Sequence, residues 1–253
     1  MSAVSFFSWA TGMLLVSARL AMVFIAAPPF AGIPVPAMAR IIVVVALAAG
    51  LVGAAPQAVM RGMDVEALAA AVLFEVVVGG IFAAGLFAAF AAFQFAGRLL
   101  DFQIGFGMAS LVDIATRNNM PLIGALLSML AAIFFFAIDG HLVLLRLIHL
   151  SLEKLPPGGS VASLDIASVV AQFATCFSFG LMLVAPIVLC LLLVDFGMAF
   201  MSRTMPQMNV FVMSMALKVL IGLVVLAISL PLAGGAIRRV FDATFNAWFR
   251  MLA

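Results

Sequence analysis

Long uncharged apolar runs, separated by single charges, dominate this chain and restrict what it can become. The runs cover residues 2–18, 41–60, 76–97, 118–138, 166–194 and 219–237. Each approaches or exceeds the ~20 residues that a helix needs to cross a hydrocarbon core. Only 9% of the 253 residues are charged and 67% are hydrophobic, whereas a soluble domain carries about a quarter charged residues. Lipid or partner subunits must cover the remainder. The expected fold is all-α, a multi-helix hydrophobic membrane protein with one membrane domain over 1–253 and about six hydrophobic helical segments. The fifth run is long enough to be tilted, broken or two shorter helices.

The connectors follow from residue chemistry. Pro28, Pro29, Gly32, Pro34 and Pro36 break the chain after the first helix, because proline removes a donor and restricts the residue before it. Residues 55–66 read as a polar turn and 155–160 as an exposed loop, with a further helix starting near Asp165. The first run has no basic leading region and continues past Arg19 to Ala27, so it is expected to be a retained helix and not a signal peptide.

The net charge of +2 is scattered. Arg238, Arg239 and Arg250 form the densest basic group, too sparse to track nucleic-acid phosphates and better suited to a cytoplasmic end. Cys176 and Cys190 lie inside apolar stretches and read as small buried hydrophobes. More informative are Glu75, Arg98, Asp101, Asp113, Asp139, Arg146, Asp195, Arg203 and Lys218, which lie within or beside the apolar runs. A charge at the bilayer centre costs at least about 2.5–3.5 kcal/mol. Each must therefore pair, line an aqueous path, meet another subunit or mark a helix end. Arg98 and Asp101 are one helical turn apart and could pair. Gly80, Ala84, Ala88 and Ala92 recur at every fourth position, a stripe that lets another helix approach closely.

No catalytic constellation emerges, and an enzyme is not expected. His141 and His149 lack the spacing of a helical zinc pair, and there is no HExxH or phosphate-binding loop. No cofactor or metal is expected. Gly105-Phe106-Gly107 superficially echoes a dinucleotide loop and a potassium filter, but lacks the third glycine of one and the threonine of the other. What remains is a polar-spotted segment from Arg98 to Pro121 between two apolar helices. Irregular backbone at membrane depth is tolerated only inside protein or beside water, so this is the best candidate for a constriction or plug.

Several motifs, in order, resemble a known family. Arg19, Pro29-Phe30, Ile33-Pro34 and Arg40 open the pattern. Gly105 through Val112-Asp113 to Asn119-Met120-Pro121 follows, then Asp139-Gly140-His141-Leu142. Arg203, Pro206-Gln207, Asn209-Val210-Phe211 and Leu217-Lys218 close it. Together these are similar to the FliR family of flagellar and type III secretion export proteins. Ile114 and Ser214-Met215-Ala216 depart from the family's usual residues.

The resemblance implies a FliP-like part joined to a FliQ-like helical hairpin, assembling with FliP-like and FliQ-like membrane subunits into a helical export gate. An FlhB-like protein would dock on it. Unfolded export substrates would pass through a central pore in the bacterial inner membrane, at the flagellar basal body. The plug would be residues 105–121. Phe106, Met108, Leu111 and Met120 would seal the pore, Gly105 and Gly107 would let the segment move, and Asp113 and Arg117 would hold it. Arg19, Glu75, Arg98, Asp101, Asp139, Arg203, Gln207 and Lys218 would be buried polar or intersubunit contacts. Two other readings are a proton-coupled secondary transporter, for which no repeat is visible, and an assembly factor that lines no pore.

Overall fold

A computed structural model describes residues 3–32, 35–54, 64–107, 121–159, 166–205 and 209–252. Among these residues every regular element is helical. In chain order they are α1 (Ala3–Ala26), α2 (Pro28–Ala31), α3 (Ala37–Ala54), α4 (Val65–Ile104), α5 (Leu122–Ala137), α6 (Gly140–Lys154), α7 (Ile166–Thr204) and α8 (Val210–Leu252). The chain is thus an all-α, multi-helix membrane protein. Four helices, α1, α4, α7 and α8, are long and apolar enough to cross a bilayer, and a fifth span arises if α5 and α6 count as one broken crossing. The 18 residues of α3 and 16 of α5 make shorter rods.

Helices α1, α4, α7 and α8 extend beyond the apolar runs, because a run ends at a charge while a helix ends where its backbone changes direction. α4 has 40 residues, α7 has 39 and α8 has 43, or about 60 Å each at 1.5 Å per residue. The fifth run forms one continuous helix with Pro186 inside it, and α8 contains Pro231. After α1 the chain turns through Ala27, which is extended, and Pro28 opens the single turn of α2. Proline suits a first helical turn, where its missing N–H would be unpaired anyway.

Two compact units emerge. The first comprises Met1–Ala88, Asp139–Phe173 and Ala243–Ala253. Its core is a set of helical stripes: Leu15, Val16, Leu20 and Val23 of α1, Val44, Ala48 and Val52 of α3, Phe74, Val78 and Phe82 of α4, and Leu144, Leu147, Ile148 and Leu152 of α6. Spacings of three and four place each set on one helix face. Trp248 is 1% exposed and packs edge-on against Phe82, so it belongs to the core.

The second unit comprises Ala89–Ile138 and Ala174–Asp242. An aromatic cluster centres on Phe241, with Phe90, Phe93 and Phe135 around it at centroid distances of 5.4–6.1 Å. Such tilted pairs add about 0.5–1.5 kcal/mol each beyond the area that they bury. In contrast, α7 and α8 leave much of their apolar surface uncovered, including Leu189, Leu193, Phe196, Phe200, Leu220 and Leu232.

Close helix approach follows a different register from the expected stripe. A Cβ on Gly80 would meet open space, whereas one on the adjacent Gly79 would collide with the Arg19 carbonyl. One residue is a 100° turn of the helix, and an i+4 pattern does not say which side is covered. In the second unit the tight contact is glycine on glycine: a Cβ on Gly97 would overlap the Gly124 backbone. Ala92, the last member of the stripe, does lie at a close approach, against Gly180.

Candidate functional site

The first polar centre is built on Arg19, which is fully buried on α1. Its Nε donates to Glu75 Oε2 at 2.6 Å and its Nη2 to Glu75 Oε1 at 3.0 Å. This is the bidentate fork that suits a guanidinium to a carboxylate. Nη1 donates to Ser151 Oγ on α6 at 2.7 Å, and Nη2 also reaches the Leu155 carbonyl at 3.0 Å. The Gly158 amide donates to Glu75, and the Ser151 hydroxyl in turn donates to the Ile148 carbonyl at 2.6 Å. Arg19 therefore ties α1, α4, α6 and the loop after α6 together. Glu75 and Gly79 lie one turn apart on α4, so the glycine brings the α1 backbone close where the ion pair forms. A buried pair gains little over apolar replacements, but losing one partner leaves an uncompensated charge.

The second centre frames the candidate plug. α4 does not end at Arg98, where the polar-spotted segment was expected to begin; it continues to Ile104 and carries both Arg98 and Asp101. Asp101 is 4% exposed. Its Oδ1 accepts the Ile123 amide at 3.0 Å, and its Oδ2 accepts the amides of Ile123 and Gly124 at 3.1 and 3.2 Å. Those amides belong to the first turn of α5. The first amides of a helix lack internal acceptors, and the N-cap residue, Pro121, makes no side-chain cap. Asp101 supplies the cap from another helix and sets its negative charge at the positive end of α5. Arg98, the partner that its spacing suggested, is instead exposed.

Gly105 then ends α4 in a left-handed conformation, with φ of 105° and its amide bonded to the Asp101 carbonyl at 3.2 Å. Glycine adopts this conformation without the steric cost that a side chain brings. Phe106 and Gly107 follow, both half-buried. Met108, Leu111, Asp113, Arg117 and Met120 lie outside the described residues, as does Gln207. The ends of the segment are thus held by one residue. Asp101 precedes Gly105 by four positions and grips the chain just past Pro121.

The other charges are dispersed. Lys218 Nζ pairs with Asp195 Oδ1 at 2.5 Å, joining α8 to α7. Asp139 occupies the left-handed turn between α5 and α6, with φ of 56°, and is exposed. Its carbonyl accepts the amides of Leu142 and Val143. Arg203 is exposed in the last turn of α7. Among the described residues no three His, Cys, Asp or Glu side chains gather where they could hold a metal ion. Sequence reasoning missed Ser151 and the carbonyl of Leu155. A serine on the buried face of an otherwise leucine-rich helix was the available signal.

These centres define a class: a helical membrane protein whose buried charges hold its helices together. The chain belongs to the bacterial export proteins, family 1, which it matches across residues 10–244. It is 31% identical over 167 residues to the flagellar biosynthetic protein FliR of Bacillus subtilis, covering 64% of each chain. It is also 31% identical over 159 residues to FliR of Escherichia coli, covering 62% of this chain and 61% of the relative. The secretion system apparatus protein SsaT of Salmonella typhimurium is 31% identical over 163 residues, or 63% of this chain and 62% of the relative. The chain thus spans just under two thirds of the length of each of these relatives.

Proposed function

We propose that this chain is a subunit of a type III protein export gate in the bacterial inner membrane, at the base of a flagellum. It assembles with FliP-like and FliQ-like membrane subunits, with an FlhB-like protein docked on them. Together they form a channel for unfolded proteins during flagellum assembly. The observation that carries this reading is the family match across residues 10–244. The proposed FliQ-like hairpin corresponds to α7 and α8. Their uncovered apolar faces suit neighbouring subunits as well as lipid.

The same reading makes residues 105–121 the plug. Phe106, Met108, Leu111 and Met120 close the channel with apolar side chains, and Gly105 and Gly107 allow the segment to shift. Asp113 and Arg117 hold it through polar contacts. The geometry of Asp101 supports this role, because its carboxylate ties the chain just past Pro121 to α4, four residues before Gly105. Deleting residues 105–119 from the assembled complex is expected to raise the ion conductance of the membrane. An unchanged conductance, with the complex intact, would refute the plug. Co-purification of the tagged chain with FliP-like and FliQ-like subunits tests the assembly independently.

An assembly factor that lines no pore is the second reading, favoured by the extent of the uncovered apolar faces on α7 and α8. A trapped export substrate separates the two. Crosslinks from substrate to residues 105–121 support the gate, and their absence beside substrate crosslinks to neighbouring subunits supports the scaffold.

A further inference from the structure

α6 has two faces of different chemistry. Leu144, Leu147, Ile148, Ser151 and Leu152 are buried in the first unit, and the opposite side carries Arg146, His149 and Glu153. At 15 residues the helix is about 22 Å long, short of the ~30 Å hydrocarbon core. An amphipathic helix of this kind, apolar on one face and polar on the other, belongs at the level of lipid headgroups.

Between α6 and α3 runs an open groove of about 550 Å³, lined by Leu51, Leu145, Arg146, His149 and Leu150. Its one full cation has no ion-pair partner among the described residues. Arg146 is exposed, and the ion pairs among the described residues leave it unmatched. His149 Nδ1 is buried without a hydrogen-bond partner, and its Nε2 lies 3.8 Å from Glu153 Oε1. Three leucines and an exposed guanidinium match one class of molecule closely. A soluble anion has no use for leucine walls, and a hydrocarbon chain has none for the guanidinium.

We infer that the groove between α3 and α6 binds an anionic glycerophospholipid. Its phosphodiester sits on Arg146, and an acyl chain lies along Leu51, Leu145 and Leu150. This binding requires membrane embedding and is independent of the export reading, so either can fail without the other.

The test uses the full-length protein in neutral detergent, with native mass spectrometry to count bound lipid. Phosphatidylglycerol is expected to be retained in preference to phosphatidylcholine. Arg146→Gln is expected to reduce that preference about fivefold, the size of one basic side chain near an anionic surface. Arg203→Gln, an exposed arginine on a different helix, is expected to leave it unchanged. Equal retention of the two lipids, or an undiminished preference in Arg146→Gln, would overturn the assignment. Displacement of the phosphatidylglycerol by equimolar inorganic phosphate, or by a polyglutamate peptide, would also overturn it, by showing a general anion site or an acidic protein partner instead.

Discussion

Replacing Asp101 with alanine removes the side-chain brace on the α5 end of the candidate plug, while the backbone bond from the Gly105 amide to the residue 101 carbonyl stays. The structure sets the size of the effect. Two amides in the first turn of α5, those of Ile123 and Gly124, lose three contacts of 3.0–3.2 Å to a buried carboxylate. A hydrogen bond to a charged group contributes about 1.5–3 kcal/mol. Losing the acceptor for both amides, with some recovery as water enters, costs the start of α5 about 3 kcal/mol. Local opening then becomes about two orders of magnitude more frequent. Hydrogen exchange followed by mass spectrometry reads this directly: the amides of Ile123 and Gly124 should exchange about a hundredfold faster. Asp101→Asn keeps one acceptor oxygen and should fall between. The buried core of α4 further upstream, around Phe90 and Phe93, should exchange as in the wild type. If Ile123 and Gly124 keep wild-type protection in Asp101→Ala, the carboxylate does not cap α5. If the exchange rises but conductance and export are unaffected, the brace is structural and the plug reading loses its support.

Three further outcomes follow from the packing. Arg19→Ala leaves Glu75 buried and unpaired, so thermal unfolding should show a loss of about 3–5 kcal/mol, while the double change Arg19→Met with Glu75→Leu should lose markedly less. Gly97→Ala should destabilise by about 1–3 kcal/mol because the methyl group meets the Gly124 backbone, whereas Gly80→Ala meets open space and should be neutral or gain about 0.5–1 kcal/mol, judged by the midpoint of denaturant unfolding. Exchanging the charges of Asp195 and Lys218 should restore most of whatever stability Lys218→Gln loses, and that single loss should be small, about 1 kcal/mol, because both side chains are partly exposed.

The helices were legible wherever apolar residues ran without interruption, because a bilayer-length hydrophobic run leaves few alternatives. α6 was not, since Arg146, His149, Glu153 and Lys154 interrupt its sequence while its buried face stays continuous in space. The need for a partner at Glu75 was visible from the cost of burying it, and Arg19 stood out only through the resemblance. Their pairing was not, because it joins residues 56 positions apart and spacing rules reach only one helical turn. Arg98 and Asp101 show the reverse failure: the spacing suggested a local pair, while the unpaired first turn of α5 offered Asp101 a better use. The stripe at Gly80 failed by one residue, enough on a helix to turn toward open space. The glycine break at Gly105 was readable as a motif, but only its backbone angle showed where α4 stops.

The length of α4, α7 and α8 has a consequence for how this protein can exist at all. A rod of about 60 Å fits within 30 Å of hydrocarbon only by leaning about 60° from the membrane normal, beyond the 0–40° that membrane helices adopt. Part of each rod must therefore project into water. α7 and α8 carry exposed apolar side chains toward their ends, among them Val170, Phe200, Phe211 and Val212, and water is the solvent that penalises those most. Contact with other protein would shield such ends, so the isolated subunit is expected to be less stable than the assembled one. Its apparent melting temperature should rise with the concentration of its partners, as mass action requires of any fold completed by association.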